Sequence, residues 1–177
     1  MESIHKQLLD YKHEDLSGPK AIHKMAELVR QAQTCFFCTS CGDGQIDARP
    51  MSVLEVDDAG NLWFLSARDS LKNQELMDNP EVRLFFQGSP HAEFMHLEGT
   101  ATVSRDRSKI RDLWKFVLKT WFTEGEDDPR ITVIKVAPSF GYYWDNRHGN
   151  AVAGIKMLIG ATIGRTLDDS VEGRLSV

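Results

Sequence analysis

Two short segments carry residue types suited to gripping an anion. In Leu62–Met77, LWFLSARDSLKNQELM, an apolar run gives way to Ser66-Ala67-Arg68-Asp69-Ser70, and a helical pattern carrying Lys72 begins there. The first turn of a helix leaves backbone N–H groups without partners and holds the positive end of the dipole, so it suits a phosphate. Two hydroxyls, Ser66 and Ser70, and two cations, Arg68 and Lys72, stand close by in the same stretch. A plainer reading has Asp69 or Ser70 capping the helix while the cations stand in water. The second segment is Asp47-Ala48-Arg49-Pro50-Met51-Ser52. Proline cannot donate to a strand ladder, so Pro50 marks an edge, a start or a bulge. Arg49 beside it has the planar fork that takes phosphate bidentately. The plainer alternative there is an edge strand with an ordinary surface arginine.

Other chemistries find less support. Cys35, Cys38 and Cys41 stand at C-x2-C-x2-C, part of an iron–sulfur or zinc pattern. However, Cys35 and Cys38 fall in a strand pattern, where a spacing of three sends side chains to opposite faces. The chain has 3 cysteines and so no fourth ligand of that kind, and His91 and His96 supplement them poorly by spacing. Buried thiols and no metal are expected. No G-x-S-x-G elbow is present, and His5, His13, His23 and His148 lie in contexts that suggest no general base. Glycine-rich dinucleotide fingerprints are absent too. Any redox chemistry would therefore be brought by a cofactor.

Size and composition set the frame. The 177 residues, 41% hydrophobic and 27% charged, fit one globular domain. With 21 Lys and Arg against 26 Asp and Glu the formal charge is −5 and the pI about 5.7, so no basic surplus points to nucleic acid or an anionic membrane. Met1 to Leu16 has no apolar run and does not read as a secretory signal. The nearest approach to a membrane span, Ala151 to Gly164, falls short of ~20 residues and contains Lys156. An odd number of cysteines without a signal points to a reducing compartment, and a cytoplasmic protein is expected.

The elements that must position these residues are mostly strands. Residues 1–16 read as a loosely ordered leader. Ser17-Gly18-Pro19 starts a helix whose buried face is Ile22, Met25, Ala26 and Val29, running to about Gln33. Strands follow at Thr34–Ser40, Ala48–Val56, Leu62–Ala67, Val82–Gln87 and Phe94–Val103, separated by turn clusters such as Gly42-Asp43-Gly44 and Gly88-Ser89-Pro90. Leu62–Ala67 is apolar enough to be buried on both faces. A short helix spans about Ser70 to Met77. Ile110, Leu113, Trp114, Val117, Leu118 and Trp121 form one stripe of a longer helix, which places Trp114 and Trp121 in the core. Two closing strands, Ile131–Val136 and Phe140–Trp144, lie on either side of Pro138. The consecutive aromatics Tyr142-Tyr143-Trp144 must face both sides of the last strand, one side packing the barrel and the other meeting a partner chain or planar ligand. Helices interrupt the strands rather than alternating with them, which makes a mainly β (α+β) antiparallel barrel. The polar tail from Gly164 reads as disordered.

In order and spacing, ARPM at 48–51, GNLWFLSARDSLKNQEL at 60–76, NPEVRLFF at 79–86, HLEGTA at 96–101, KTWFTEG at 119–125 and YYWD at 142–145 resemble the pyridoxamine 5′-phosphate oxidase-like superfamily of FMN-binding split barrels, in its general stress protein branch. The resemblance spans roughly residues 20 to 145. It implies an antiparallel split β-barrel with Greek-key connections and flanking helices over residues 17–150, followed by a C-terminal extension at 151–177. It also implies a homodimer with two FMN sites between the copies. Arg49, Pro50 and Met51 would line the flavin, Leu65 and Ser66 would meet it from a strand end, and Ser70 and Lys72 would hold the phosphate. Trp144 would approach from the partner subunit, with Trp121 near the family's other in-trans region. The tail offers no match to the residues with which the true oxidase binds pyridoxamine phosphate, so that reaction is not expected. Three readings stand: a flavin-dependent oxidoreductase, a non-enzymatic FMN carrier or stress-response sensor, and a barrel of the same kind holding F420 or haem.

Overall fold

The computed structural model describes residues 12–40, 44–90, 92–146 and 170–177. Chain order gives two short strands, β1 (Lys12–His13) and β2 (Leu16–Ser17), then helix α1 (Pro19–Ala32), with Pro19 in its first turn. Next come β3 (Thr34–Ser40), β4 (Ile46–Ser52), β5 (Glu55–Val56) and β6 (Leu62–Ala67). Helix α2 (Leu71–Asp78) leads to β7 (Glu81–Gln87) and β8 (Phe94–Ser104). Helix α3 (Arg107–Leu113), two short 3-10 turns, the long β9 (Ile131–Asn146) and β10 (Ser170–Ser176) complete the chain.

The sheet runs β1-β10-β9-β8-β7-β3-β4, with β2 on β10 and β6 joining both β5 and β9. All pairings are antiparallel except those of β1 and β2 with β10. The sheet curls without closing: among the described residues β4 pairs only with β3, while β6, on the other side of the opening, pairs with β5 and β9. This is a split β-barrel with flanking helices. No helix among the described residues is long and apolar enough to cross a membrane.

The barrel interior is filled by Phe37, Phe64, Leu84 and Leu97, closed at one end by Met25 and Leu28 of α1. Phe37 and Phe64 meet edge to face, ring centres 5.3 Å apart. A second cluster, Leu65, Ile110, Leu113, Phe122, Ile131 and Val133, lies beneath α3. Strand β6 serves both clusters from opposite faces, which is why its sequence is apolar almost throughout.

Several expectations change. The region 107–121 is not one helix. Asp106 caps α3 by accepting from the amides of Ser108 and Lys109, but Trp114 and Lys115 are extended (ψ 130° and 141°) before a 3-10 turn at Phe116–Thr120. The break sets Trp114 against Phe122, ring centres 6.4 Å apart, and lets Leu118 reach the second cluster. Trp121, which a continuous stripe would bury, is 65% exposed. The two closing strands are a single β9. Its first half pairs with β6 and its second with β10, while β8 follows its other edge throughout. Pro138 falls between those two partners, at a register shift opposite Glu98 and Gly99, so its missing N–H interrupts no continuous ladder.

Both chain ends of the described structure also differ from expectation. Lys12, His13 and Leu16 of the expected leader pair with β10, as does Ser17 beyond it, and the expected disordered tail supplies β10 itself. Val171 and Leu175 of β10 point into the core, while the polar residues between them face outward; that alternation, not its polarity, is the governing signal. The remainder of the leader (1–11), Cys41 and the first part of the hairpin turn (42–43), His91, the side chain of Val117, the loop with His148, and 151–169 of the C-terminal extension lie outside the described residues.

Gly173 is where the N-terminal segment crosses closest to β10: a Cβ there would sit 1.9 Å from the carbonyl oxygen of Glu14. The obstacle is backbone, so Gly173→Ala must push residues 14–15 away and break the bonds from the Glu14 amide to Glu172 and from the Arg174 amide to Asp15. A loss of about 1–3 kcal/mol is expected from such overpacking. Thermal melting should show it, with faster hydrogen exchange at the Glu14 and Arg174 amides. A variant that melts and exchanges like the parent would mean the N-terminal segment does not clasp β10 tightly.

Candidate anion-binding site at the barrel seam

The open edge between β4 and β6 is bridged by side chains. Helix α2 begins shortly after the end of β6, and its side chains bond to both sides of the opening, Lys72 to Ser66 of β6 and Glu75 to Arg49 of β4. Ser70 occupies the N-cap position, yet its hydroxyl makes no capping bond. It lies 3.1 Å from the Ser66 hydroxyl instead. Lys72 Nζ donates to Ser66 Oγ at 2.8 Å and to Ser70 Oγ at 3.4 Å. The plain capping reading therefore gives way: the two hydroxyls and the ammonium converge on one point, at the positive end of the helix.

Arg49 reaches the same opening from β4. Its Nη1 donates to Thr39 Oγ1 at 2.8 Å and to Glu75 Oε2 at 2.9 Å, and its Nη2 pairs with Asp47 Oδ2 at 3.3 Å. The Thr39 hydroxyl also donates to Glu75 Oε2. Burial lowers the pKa of Lys72, and the Arg49 charge lowers it further, against a smaller opposing pull from Glu75. Burial would push the Glu75 carboxyl up, but hydrogen bonds from Thr39 and Arg49 hold it below the usual range. The site thus contains a half-buried ammonium whose hydrogen-bond partners are neutral hydroxyls, beside an arginine already engaged by carboxylates.

The floor beneath is fixed by a chain of buried bonds. Asn73 Nδ2 donates to Thr132 Oγ1 at 2.8 Å, and Thr132 Oγ1 donates to the Ser66 carbonyl at 3.0 Å. Asn73 is 3% exposed and its Oδ1 accepts no bond in the described structure. Thr39, Asn73, Glu75 and Thr132 were not singled out from sequence. Asn73 and Glu75 carry a signal in hindsight, since they follow Lys72 on the same short helix; Thr39 and Thr132 join only through the fold.

The remaining sequence candidates separate by face. Leu65 is buried in the second cluster, on the face of β6 opposite Phe64. Met51 packs against the barrel core, its carbonyl accepting from the Cys35 thiol at 3.7 Å. Pro50 lies on the outer face of β4 and, with Phe36, Phe85, His96 and Trp144, lines a groove of about 610 Å³. Residues of this row oppose one another across neighbouring strands: Pro50 with Phe36, Phe36 with Phe85, Phe85 with His96, His96 with Tyr142. Trp144 is 42% exposed there and packs on Tyr142 at 4.6 Å, while Tyr143 turns inward and donates to the Glu14 carbonyl. Consecutive aromatics on β9 thus face both sides, as their order requires. Trp121 stands apart, in another groove beside Val53, Leu54 and Lys115.

The cysteines behave as strand residues. Cys35 faces inward with Phe37, and Cys38 lies on the opposite face. Burial pushes the Cys35 thiol up to about 12, and raises Cys38 as well. Among the described residues no group of three potential metal ligands comes together.

Comparison with known proteins places this geometry. A family model described as pyridoxamine 5′-phosphate oxidase like matches residues 20–168. Protein bli-3 of Neurospora crassa is 26% identical over 145 residues, 76% of this chain, which spans only 65% of that relative's length. Among solved structures, general stress protein 26 of Bacillus anthracis aligns with a TM-score of 0.61 at 24% identity, covering 69% of this chain and 92% of the other. The general stress FMN/FAD binding protein of Xanthomonas citri aligns with a TM-score of 0.58 at 21% identity, covering 68% and 85%. Likeness at that identity speaks for the fold, while the family model spans most of the chain: the protein belongs to the pyridoxamine 5′-phosphate oxidase-like family.

Proposed function

We propose that the chain is a flavoprotein that binds FMN at the barrel seam and serves as a flavin-dependent oxidoreductase. The observation that carries this reading is Lys72, a half-buried ammonium held by two hydroxyls at the start of a helix. A half-buried cation whose hydrogen-bond partners are neutral hydroxyls is costly, and a phosphate monoester would give it an anionic partner. Ser66, Ser70 and Lys72 would hold that phosphate, with Arg49 at its side. Met51 and the end of β6 at Leu65 would bound the flavin, and the outer groove at Pro50 would take what extends past the edge of β4. The Xanthomonas protein described as FMN/FAD binding shares the fold, which supports a flavin as the ligand.

A second copy of the chain completes the site in this reading. Phe36, Ile46, Phe85, Phe140 and Trp144 are between 38% and 60% exposed. An outer sheet face this rich in aromatics is suited to burial against another protein surface. Trp144 would then border the partner's flavin. When bound, FMN supplies hydride or single-electron transfer; the chain's own residues anchor the phosphate, shape an apolar bed for the ring and limit access of water. Hydride transfer needs no acid or base from the protein. The donor and acceptor would be small molecules.

Three outcomes test the reading. The purified protein, mixed with FMN and desalted, should retain the visible absorbance of an oxidised flavin; a colourless protein would sink the flavin assignment and bring F420 and haem forward. Lys72→Ala and Arg49→Ala should each weaken FMN binding by about one to two decades, since a lost charge-assisted bond costs ~1.5–3 kcal/mol. Wild-type affinity in both variants, measured by flavin titration, would place the phosphate elsewhere. Trp144→Ala should weaken self-association by about 2 kcal/mol, the scale of an aromatic hot spot. Light scattering across a dilution series reads that directly, and an unchanged dimer would remove the aromatic face from the interface.

A further inference from the structure

Resting on the phosphate site just described, we propose that Glu75 is the positioning residue for Arg49, fixing the guanidinium across the seam so that it faces the ligand. Arg49 extends from β4, which among the described residues pairs on one edge only, with β3. Glu75 supports it from α2. Its Oε2 accepts from Arg49 Nη1 at 2.9 Å and from the Thr39 hydroxyl, while Thr39 Oγ1 accepts from the same Nη1 at 2.8 Å. The three groups form a closed triangle. Thr39 is 1% exposed and the Glu75 side chain 13%, so two of the three corners are packed in place. A guanidinium has five N–H donors. The described hydrogen bonds of the guanidinium both leave from Nη1, and Nη2 is ion-paired with Asp47 at 3.3 Å, so the Nε edge is the side on which a ligand oxygen would be met.

The same helix carries both kinds of charge. Lys72 and Glu75 are three residues apart on α2, and residues at that spacing share a face. One supplies a cation to the site; the other sets the direction of the second cation and offsets the repulsion between the two. The partner of the Glu75 carboxylate is Arg49 and not the ligand.

The test compares FMN with riboflavin, which lacks the phosphate, by fluorescence titration of the wild type, Glu75→Ala, Glu75→Gln, Arg49→Ala and the double variant Arg49→Ala with Glu75→Ala. Glu75→Ala should weaken FMN binding about tenfold, the equivalent of ~1.4 kcal/mol, and leave riboflavin binding unchanged. Glu75→Gln keeps an oxygen that can accept from Nη1, and should return FMN affinity to within about twofold of wild type. In the Arg49→Ala background the second substitution should cost nothing further, because the two residues act as one unit. If the wild type itself fails to bind FMN, the site reading falls. If the wild type binds but Glu75→Ala binds equally well, loses riboflavin to the same degree, or adds its loss to that of Arg49→Ala, then Glu75 does not act through Arg49 while the site stands. Should Glu75→Ala not fold, Glu75→Asp, which withdraws the carboxylate by one methylene, is judged by the same criteria.

Discussion

The sheet's failure to close is the constraint on which the site depends. A closed barrel would satisfy the edges of β4 and β6 with each other and fill the space between them with ladder bonds. Here β4 ends the path on one side and β6 turns back through β5 on the other, so the gap is spanned by side chains and by the start of α2. Only long polar side chains can cross it, and they must satisfy one another or a ligand. Arg49, Thr39 and Glu75 do so in one set of bonds and Lys72, Ser66 and Ser70 in a second, the two sets meeting on helix α2. A polar site in the wall of an apolar barrel follows from the architecture before any ligand is considered.

The energetics of the two sets are uneven. Arg49 is neutralised by carboxylates, whereas Lys72 has hydroxyls as its hydrogen-bond partners and a lowered pKa. Burying an ammonium against neutral acceptors recovers less than burying it against an anion. The strain is tolerable because the rest of the molecule holds the seam rigidly. Strand β6 is anchored on both faces by two hydrophobic clusters, and Asn73 and Thr132 tie its end to the base of α2. On the proposed reading, a site of this kind keeps its shape while the hydrogen-bond partners of Lys72 are neutral hydroxyls, and an anionic ligand would supply the charged partner.

How much of this was legible in the sequence depends on the range of the interaction. Ser66, Ser70 and Lys72 lie within one strand-to-helix junction, so local rules sufficed to bring them together. Arg49 was identified by its chemistry, not its partners. Thr39 depends on the register between β3 and β4, and Glu75, although it follows Lys72 on the same helix, meets Arg49 only because of where α2 lands, which no local pattern encodes. The same limit explains the misread elements. An apolar period through Ile110 to Trp121 is satisfied equally by one helix and by a helix followed by a tighter turn; the choice was made by packing of Trp114 on Phe122. Strand β10 looked disordered because its outward residues are polar, although Val171 and Leu175 alternate as a half-buried strand must. Pro138 read as a break because its sequence cannot reveal that β9 changes partner there.

Alternation along β4 carries the last step. Arg49 and Pro50 are consecutive, so one faces the seam and the other the outer groove of Phe36, Phe85, His96 and Trp144. An anion site and an aromatic groove are thereby placed on opposite faces of one edge strand, about the thickness of a backbone apart. Edge strands are usually a hazard, since their free ladder groups invite other chains. In this strand the proline removes a donor at the position where the two faces diverge, which weakens the edge as a template for further strands. On the proposed reading, the edge is left open to a ligand that anchors an anionic end on Arg49 and Lys72 and carries a flat apolar end around toward Pro50. A ligand with only one of those ends would satisfy one face of β4 and leave the other bare. On the proposed reading, FMN has both, and the second copy of the chain closes over the part that no strand of the first can cover.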